Sequence, residues 1–352
     1  MSAQSRFNWK ILSDYRTQLF GLAIISIIVF HYFEDVLEVY QTGLLHTVLR
    51  LVNYGLGNIG VEIFLFLSGI GLYFSMSRNS HIGQFYSKRF QRVLVPYLIW
   101  GMLYWPWKDF MLSHTSVGMF FLDYTTISLW TRGNRAAWYV NFILVMYLVF
   151  PLLFWLFRKA GRHRGILTVV LIGVSYGLTI ATKFLFPTVY QHIEIELYRI
   201  PIFLLGIYYG KACAEGKKIS CLDVFLLIFG LLFKLAYALG RYGVIPYIGK
   251  IPERIPAAFY CFAVLFLFLV IVKAFGRVKF LNAALLFCGT HSFELYITHV
   301  HIRSIMRSYG IATHQAHYYL ICVLLSLVCS FLLKKVADWL LKLPQKRRAQ
   351  SS

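Results

Sequence analysis

Acid is scarce in this chain. Asp and Glu number 14 among 352 residues, and only 14% of the residues are charged, while 59% are hydrophobic. A soluble domain averages about 25% charged and about 45–50% apolar, so the composition points to a membrane protein. Linkers, low-complexity stretches and internal repeats are also missing, which leaves one domain. The six cysteines, Cys213, Cys221, Cys261, Cys288, Cys322 and Cys329, form no C-x-x-C pair and no metal-like spacing with histidine. Most lie inside apolar blocks, where a thiol is an ordinary small hydrophobe. The opening segment, MSAQSRFNWK, lacks a signal-peptide cleavage pattern, so the first apolar block reads as a retained helix. Nothing like G-x-S-x-G surrounds Ser68, which argues against a serine nucleophile there. His299 and His301 are two apart, whereas a helical two-histidine metal site needs a spacing of four. No metal is expected.

What the chain has is apolar runs of spanning length, about 20 residues each. Ten candidates lie within 19–37, 56–76, 94–112, 138–157, 165–186, 199–214, 221–240, 256–274, 283–303 and 317–341. Pro106 interrupts the third and the sixth is short; the stretch from Ser116 to Trp130 fits a position along the interface. The aromatics, with 24 Tyr and 8 Trp, suit two membrane–water boundaries. The expectation is an all-α integral membrane protein: about ten transmembrane helices in one bundle over residues 1–344, and a short tail at 345–352. The net charge of +21 gathers in alternate loops, at Lys88, Arg89 and Arg92, at Arg158, Lys159, Arg162 and Arg164, and again near the C-terminus. That alternation predicts both termini in the cytoplasm and is a better reading of the charge than a nucleic-acid footprint.

Ionisable groups inside a bilayer are costly and mark functional candidates. They are His31, Glu62, Lys234, Glu294, His299 and His301. His31 falls at the outer end of the first helix and Arg16 at its inner end, fifteen residues or roughly 22 Å away. Glu62, in GVEIFLFLSGIGLYF, lies at similar depth on the next helix, and a carboxylate beside an imidazole fixes its tautomer. Both could equally be satisfied by interfacial water and tyrosines. Ser68 and Gly69 read as a small pair for close helix packing. Arg89 and Arg92 are three apart and share a helical side, a spacing that suits a phosphate clamp or, more simply, a positive-inside anchor. Trp138, Tyr139 and Asn141 open the fourth helix, Arg199 and Pro201 the sixth. Glu34 and Asp35 read as outer loop.

Taken in order, these stretches resemble the acyltransferase 3 family of integral membrane acyltransferases. The resemblance rests on Arg16, Gly21 and His31; Gly60, Val61, Glu62, Phe64, Ser68 and Gly69; and Arg89, Arg92, Pro96 and Tyr97. It continues through Trp138-Tyr139 with Tyr147 and Phe150-Pro151, RIPIFLLGIYYG from Arg199, and Ser292, Tyr296 and His299. It implies a ten-helix core that moves an acyl group, often acetyl, from a donor such as acetyl-CoA to a sugar hydroxyl of a cell-envelope polysaccharide or glycolipid. The family's helix-one histidine maps to His31 and its helix-one arginine to Arg16. Many members have a second Arg where this chain has Ala23, a longer stretch before the His, and an appended hydrolase-like domain that is not seen here. The expected mechanism has acyl-CoA, a substrate rather than a resident cofactor, set its phosphates on Arg16, Arg89 and Arg92. His31, oriented by Glu62, acts as general base or forms an acyl-imidazole. Trp138, Asn141, Arg199 and His299 are expected at the acceptor site. The expected setting is a bacterial plasma membrane, with a homo-oligomer left open. The rival is a multi-pass secondary transporter of a sugar or acyl intermediate, which the lack of repeated halves disfavours; a third reading is an inactive sensor.

Overall fold

A computed structural model describes residues 8–55, 59–241, 244–246 and 248–350. The fold is all-helical; among these residues there is no strand, only an isolated bridge between Asn8 and Lys218. Eleven helices matter here: α1 (Arg16–Val39), α2 (Gly60–Arg78), α3 (Ile82–Pro106), α4 (Trp138–Lys159), α5 (Arg164–Leu185), α6 (Ile200–Ala214), α7 (Cys221–Arg241), α8 (Arg254–Phe275), α9 (Lys279–Thr290), α10 (Ser292–Ser308) and α11 (Ala316–Gln350).

Seven of the described helices are long and apolar enough to cross a membrane: α1, α2, α4, α5, α7, α8 and α11. The other three expected spans are helical but differ from the expectation. α3 begins at Ile82, twelve residues early, so Lys88, Arg89 and Arg92 lie on the helix and its apolar part is short. Pro106 does not stop it; the chain continues as a π-helical segment, Trp107–Leu112. α6 has 15 residues. The ninth expected span breaks at His291 into α9 and α10, and α10 runs on to Ser308, past Arg303 and Arg307. The Ser116–Trp130 stretch holds two short helices, Val117–Tyr124 and Ser128–Arg132.

α5 and α7 show mostly apolar side chains to the outside, among them Val169, Phe184, Leu222 and Phe225. In water such a belt would drive aggregation; lipid is its natural solvent. The chain is a multi-pass membrane protein.

Two backbone contacts set the bundle. A Cβ at Gly21 would overlap the Leu285 carbonyl, and one at Gly289 the Thr17 carbonyl, so α1 and α9 touch main chain to main chain. Gly69 and Gly206 do the same for α2 and α6, against the Phe203 and Phe66 carbonyls. Small residues in lipid permit such closeness, where dispersion does the work that hydrophobicity does in water. Of the expected small pair, Gly69 packs and Ser68 faces a cavity.

Candidate active site

Helix spacing builds the site. On α1, Arg16, Phe20, Ile27 and His31 recur at intervals of four, seven and four, which keeps them on one face. On α10, Ser292, Tyr296, His299 and Arg303 do the same. On α2 the stripe is Val61, Phe64, Ser68 and Leu72; on α4 it is Tyr139, Ile143 and Tyr147.

These stripes line three hollows that share walls. A mouth of about 840 Å³ is lined by Ser13, Arg16, Gly71, Arg78, Lys88 and Arg89, among others. Arg16 and Arg89 pass into a second hollow of about 610 Å³, where Arg92, Ser68, Tyr139 and Tyr147 join them. Phe64, Tyr139, Ser292 and Phe293 pass on into a smaller apolar hollow of about 300 Å³, which also touches Ile27 and Tyr296. It ends one helical turn below His31.

The structure therefore brings Arg16, Arg89 and Arg92 to one hollow, and no acidic residue is among the described residues that line it. Nε of Arg16 is buried without a hydrogen-bond partner among those residues. Its guanidinium lies 5.2 Å from the Phe20 ring centroid and in the space where Gly71 lacks a side chain; a Cβ there would overlap it. Arg89 donates to the Gly71 carbonyl at 3.4 Å. Three converging cations with no acidic residue among the described lining invite an anion.

At the other end, His31 is held by partners that the sequence reading left aside. Nδ1 is 3.0 Å from Glu34 Oε2 and 3.1 Å from Arg303 Nη1. Arg303 also donates through Nε to Asp35 Oδ2 at 3.0 Å, and Arg307 bonds Asp35 at 2.9 Å and Glu38 at 2.7 Å. One proton state cannot serve both neighbours of Nδ1. A protonated Nδ1 donates to Glu34 and leaves Nε2 bare; a bare Nδ1 accepts from Arg303, which can only donate.

His299 is buried, with its ring centroid 5.7 Å from that of His31. The Tyr319 hydroxyl donates to the Ile28 carbonyl and stands 3.0 Å from His299 Nε2. With its proton spent, that hydroxyl accepts from Nε2–H, which fixes the His299 tautomer. His301, two residues on, faces elsewhere as the spacing required. It stacks on Tyr104 at 3.8 Å and accepts from Trp100 Nε1 at 2.9 Å.

Glu62 is not the partner of His31; no described contact joins them. It forms an ion pair with Arg199 at 3.0 Å, the side chains being 2% and 4% exposed. The reason is rotational. Gly60 packs against Ala23, Ser26 and Ile27 of α1, and Glu62, two residues on, is turned about 200° from that contact. Arg199 in turn lies over the Trp138 ring at 4.8 Å. Asn141 spends its amide on Thr126, at 2.9 Å, and its carbonyl on Trp130, at 3.0 Å, pinning the 126–132 segment. Lys234 pairs with Glu253 at 3.0 Å, and Glu294 lies 3.9 Å from Lys334. Among the described residues no cluster of His, Cys, Asp or Glu could hold a metal ion.

A family model described as an acyltransferase domain matches residues 21–335, about nine-tenths of the chain. The chain belongs to the acyltransferase 3 family. No curated protein and no solved structure matches it. The match to this acyltransferase family spans His31, Glu62, Arg89, Arg92, Trp138, Asn141, Arg199 and His299; Arg16 stands before its first residue. Sequence reasoning missed Glu34, Asp35, Arg303 and Arg307. Their signal was present, since Glu34, Asp35 and Glu38 stand three, four and seven residues beyond His31, on its helical face.

Proposed function

We propose that this acyltransferase moves an acyl group, typically acetyl, from acyl-CoA to a hydroxyl of a cell-envelope sugar, across a bacterial plasma membrane. The chain crosses ten times, counting α3, α6 and the α9–α10 pair, with both termini in the cytoplasm and the arginine mouth on the inner side. The observation that carries this reading is the α1 stripe from Arg16 to His31, along hollows that share walls and end one helical turn short of His31. CoA phosphates sit at Arg16, Arg89 and Arg92, and the acyl arm threads past Phe64 and Tyr139 towards His31.

His31, its Nδ1–H directed to Glu34, takes the acceptor hydroxyl proton on Nε2. The alkoxide adds to the thioester carbonyl, the tetrahedral intermediate collapses by breaking the C–S bond, and the imidazolium returns its proton to the CoA thiolate. Arg303 stays paired with Asp35 throughout. Trp138 and Arg199 flank the acceptor side, with Glu62 holding Arg199 in place.

Purified protein in lipid nanodiscs is expected to transfer radiolabel from acetyl-CoA to an envelope glycan. Failure to label any glycan, with labelled acetyl-CoA hydrolysed or untouched, would overturn the reading.

Gly71→Ala tests the donor end separately. The obstacle it meets is the far end of a flexible side chain, so the fold should survive while Arg16 is displaced. A hydrogen bond to a charged group is worth about 1.5–3 kcal/mol. KM for acyl-CoA should therefore rise about tenfold or more, with kcat little changed. An unchanged KM would remove Arg16 from the donor site.

A further inference from the structure

We infer that the bundle carries a second phosphate-binding pocket, built around Arg164 and divided from the arginine mouth by the last turns of α2. The two lie on opposite sides of one helix end. Gly71, Phe74, Ser75 and Arg78 face the mouth, whereas Tyr73, Met76 and Ser77 face a separate pocket of about 800 Å³, whose lining includes Phe157, Arg158, Arg164 and Lys211.

Arg164 is 7% exposed. Its guanidinium lies between the Tyr73 and Phe157 rings, 5.3 and 5.4 Å from their centroids. Aromatic faces hold the charge, but Nε and Nη2 still have no hydrogen-bond partner among the described residues. Buried donors of a charged group left unmatched are expensive. A ligand with negative charge and paired acceptor oxygens removes that cost, and the guanidinium fork fits phosphate bidentately.

The surroundings agree in sign. Arg158 and Lys211 add positive charge at the rim, and no acidic residue is among the described lining residues. One acid bears on this charge: Glu215 attracts Arg164 without hydrogen-bonding its Nε or Nη2, lies 3.5 Å from Lys211 and 3.3 Å from Lys217, and is half-exposed. The Ser77 hydroxyl supplies another donor. The pocket holds more than a bare phosphate, so the ligand class is a phosphate ester, whether a lipid headgroup or a soluble one.

This inference does not depend on acyl transfer, and its test uses neither donor nor acceptor. The full chain is placed in nanodiscs of mixed phosphatidylcholine and phosphatidylglycerol, and the retained lipid is read by native mass spectrometry. Glycerol 3-phosphate is titrated into protein held in phosphatidylcholine alone. Selective retention of phosphatidylglycerol identifies a headgroup; saturable binding of glycerol 3-phosphate identifies a soluble ester. Arg164→Ala should lower occupancy by the binding probe at least tenfold, and Lys279→Gln, an exposed residue that lines neither pocket, should leave it unchanged. Should Arg164→Ala not fold, the rim double variant Arg158→Gln/Lys211→Gln should lower occupancy several-fold. Wild-type occupancy in the folded variants, or no binding of either probe to the wild type, would overturn the site.

Discussion

His31→Ala, in a protein that keeps its detergent elution profile and melting behaviour, is expected to lower acyl transfer by about 10²–10⁴-fold, the usual contribution of a positioned general base. The loss should fall on kcat, because the proposed site for the donor phosphates lies at the far end of α1. Glu34→Gln gives a sharper test. Its amide can donate to a bare Nδ1, favouring the tautomer in which Nε2 holds the proton and cannot accept one. In a buried triad the equivalent change costs about 10⁴-fold. Glu34 is 39% exposed, so water compensates in part, and its loss should be smaller than that of His31→Ala. The measurement is initial-rate kinetics with acetyl-CoA and the glycan acceptor. Wild-type kcat in a folded His31→Ala protein would end the general-base assignment. A Glu34→Gln rate equal to wild type, with His31→Ala dead, would remove Glu34 as the acceptor of the Nδ1 proton.

Helix position along the chain was legible in the sequence and helix face was not. Apolar runs of about 20 residues located the helices, and the positions of α1, α4, α5, α7, α8 and α11 follow the expected spans closely. Bilayer length also misled. It put Glu34 and Asp35 in an outer loop, whereas the helix continues to Val39 and carries Glu34, Asp35 and Glu38 on the imidazole's face. The same habit ended the ninth span at 303, short of Arg307. The basic cluster was readable from the spacing of Arg89 and Arg92. That Arg16 joins them depends on a tertiary detail, the missing side chain at Gly71, which no local pattern reports. Pairing Glu62 with His31 was an argument from depth alone; the turn from Gly60 to Glu62 defeats it.

The second large effect is expected on stability. Glu62 and Arg199 are almost wholly enclosed, and removing one member of a buried pair strands the other charge, at a cost of about 3–5 kcal/mol. Arg199→Met and Glu62→Gln should each lower the thermal midpoint sharply, followed by tryptophan fluorescence in detergent. The double variant Glu62→Leu/Arg199→Met strands no charge. It should be more stable than Arg199→Met alone, a coupling of the 0.5–3 kcal/mol size (roughly) typical of residues in contact. Trp138 adds a second reporter, because its ring lies under the Arg199 guanidinium, and its emission should shift in any variant lacking that cation. The outcome separates two roles for the pair. If the single variants melt as the wild type does and yet lose transfer, Glu62 and Arg199 act on substrate directly. If they melt early and the double variant regains both midpoint and residual activity, the pair serves to hold the wall of the site between α2 and α6. The geometry favours the second result: Arg199 also donates to its own chain at Ile195, 2.9 Å away, and its charge is already matched by Glu62.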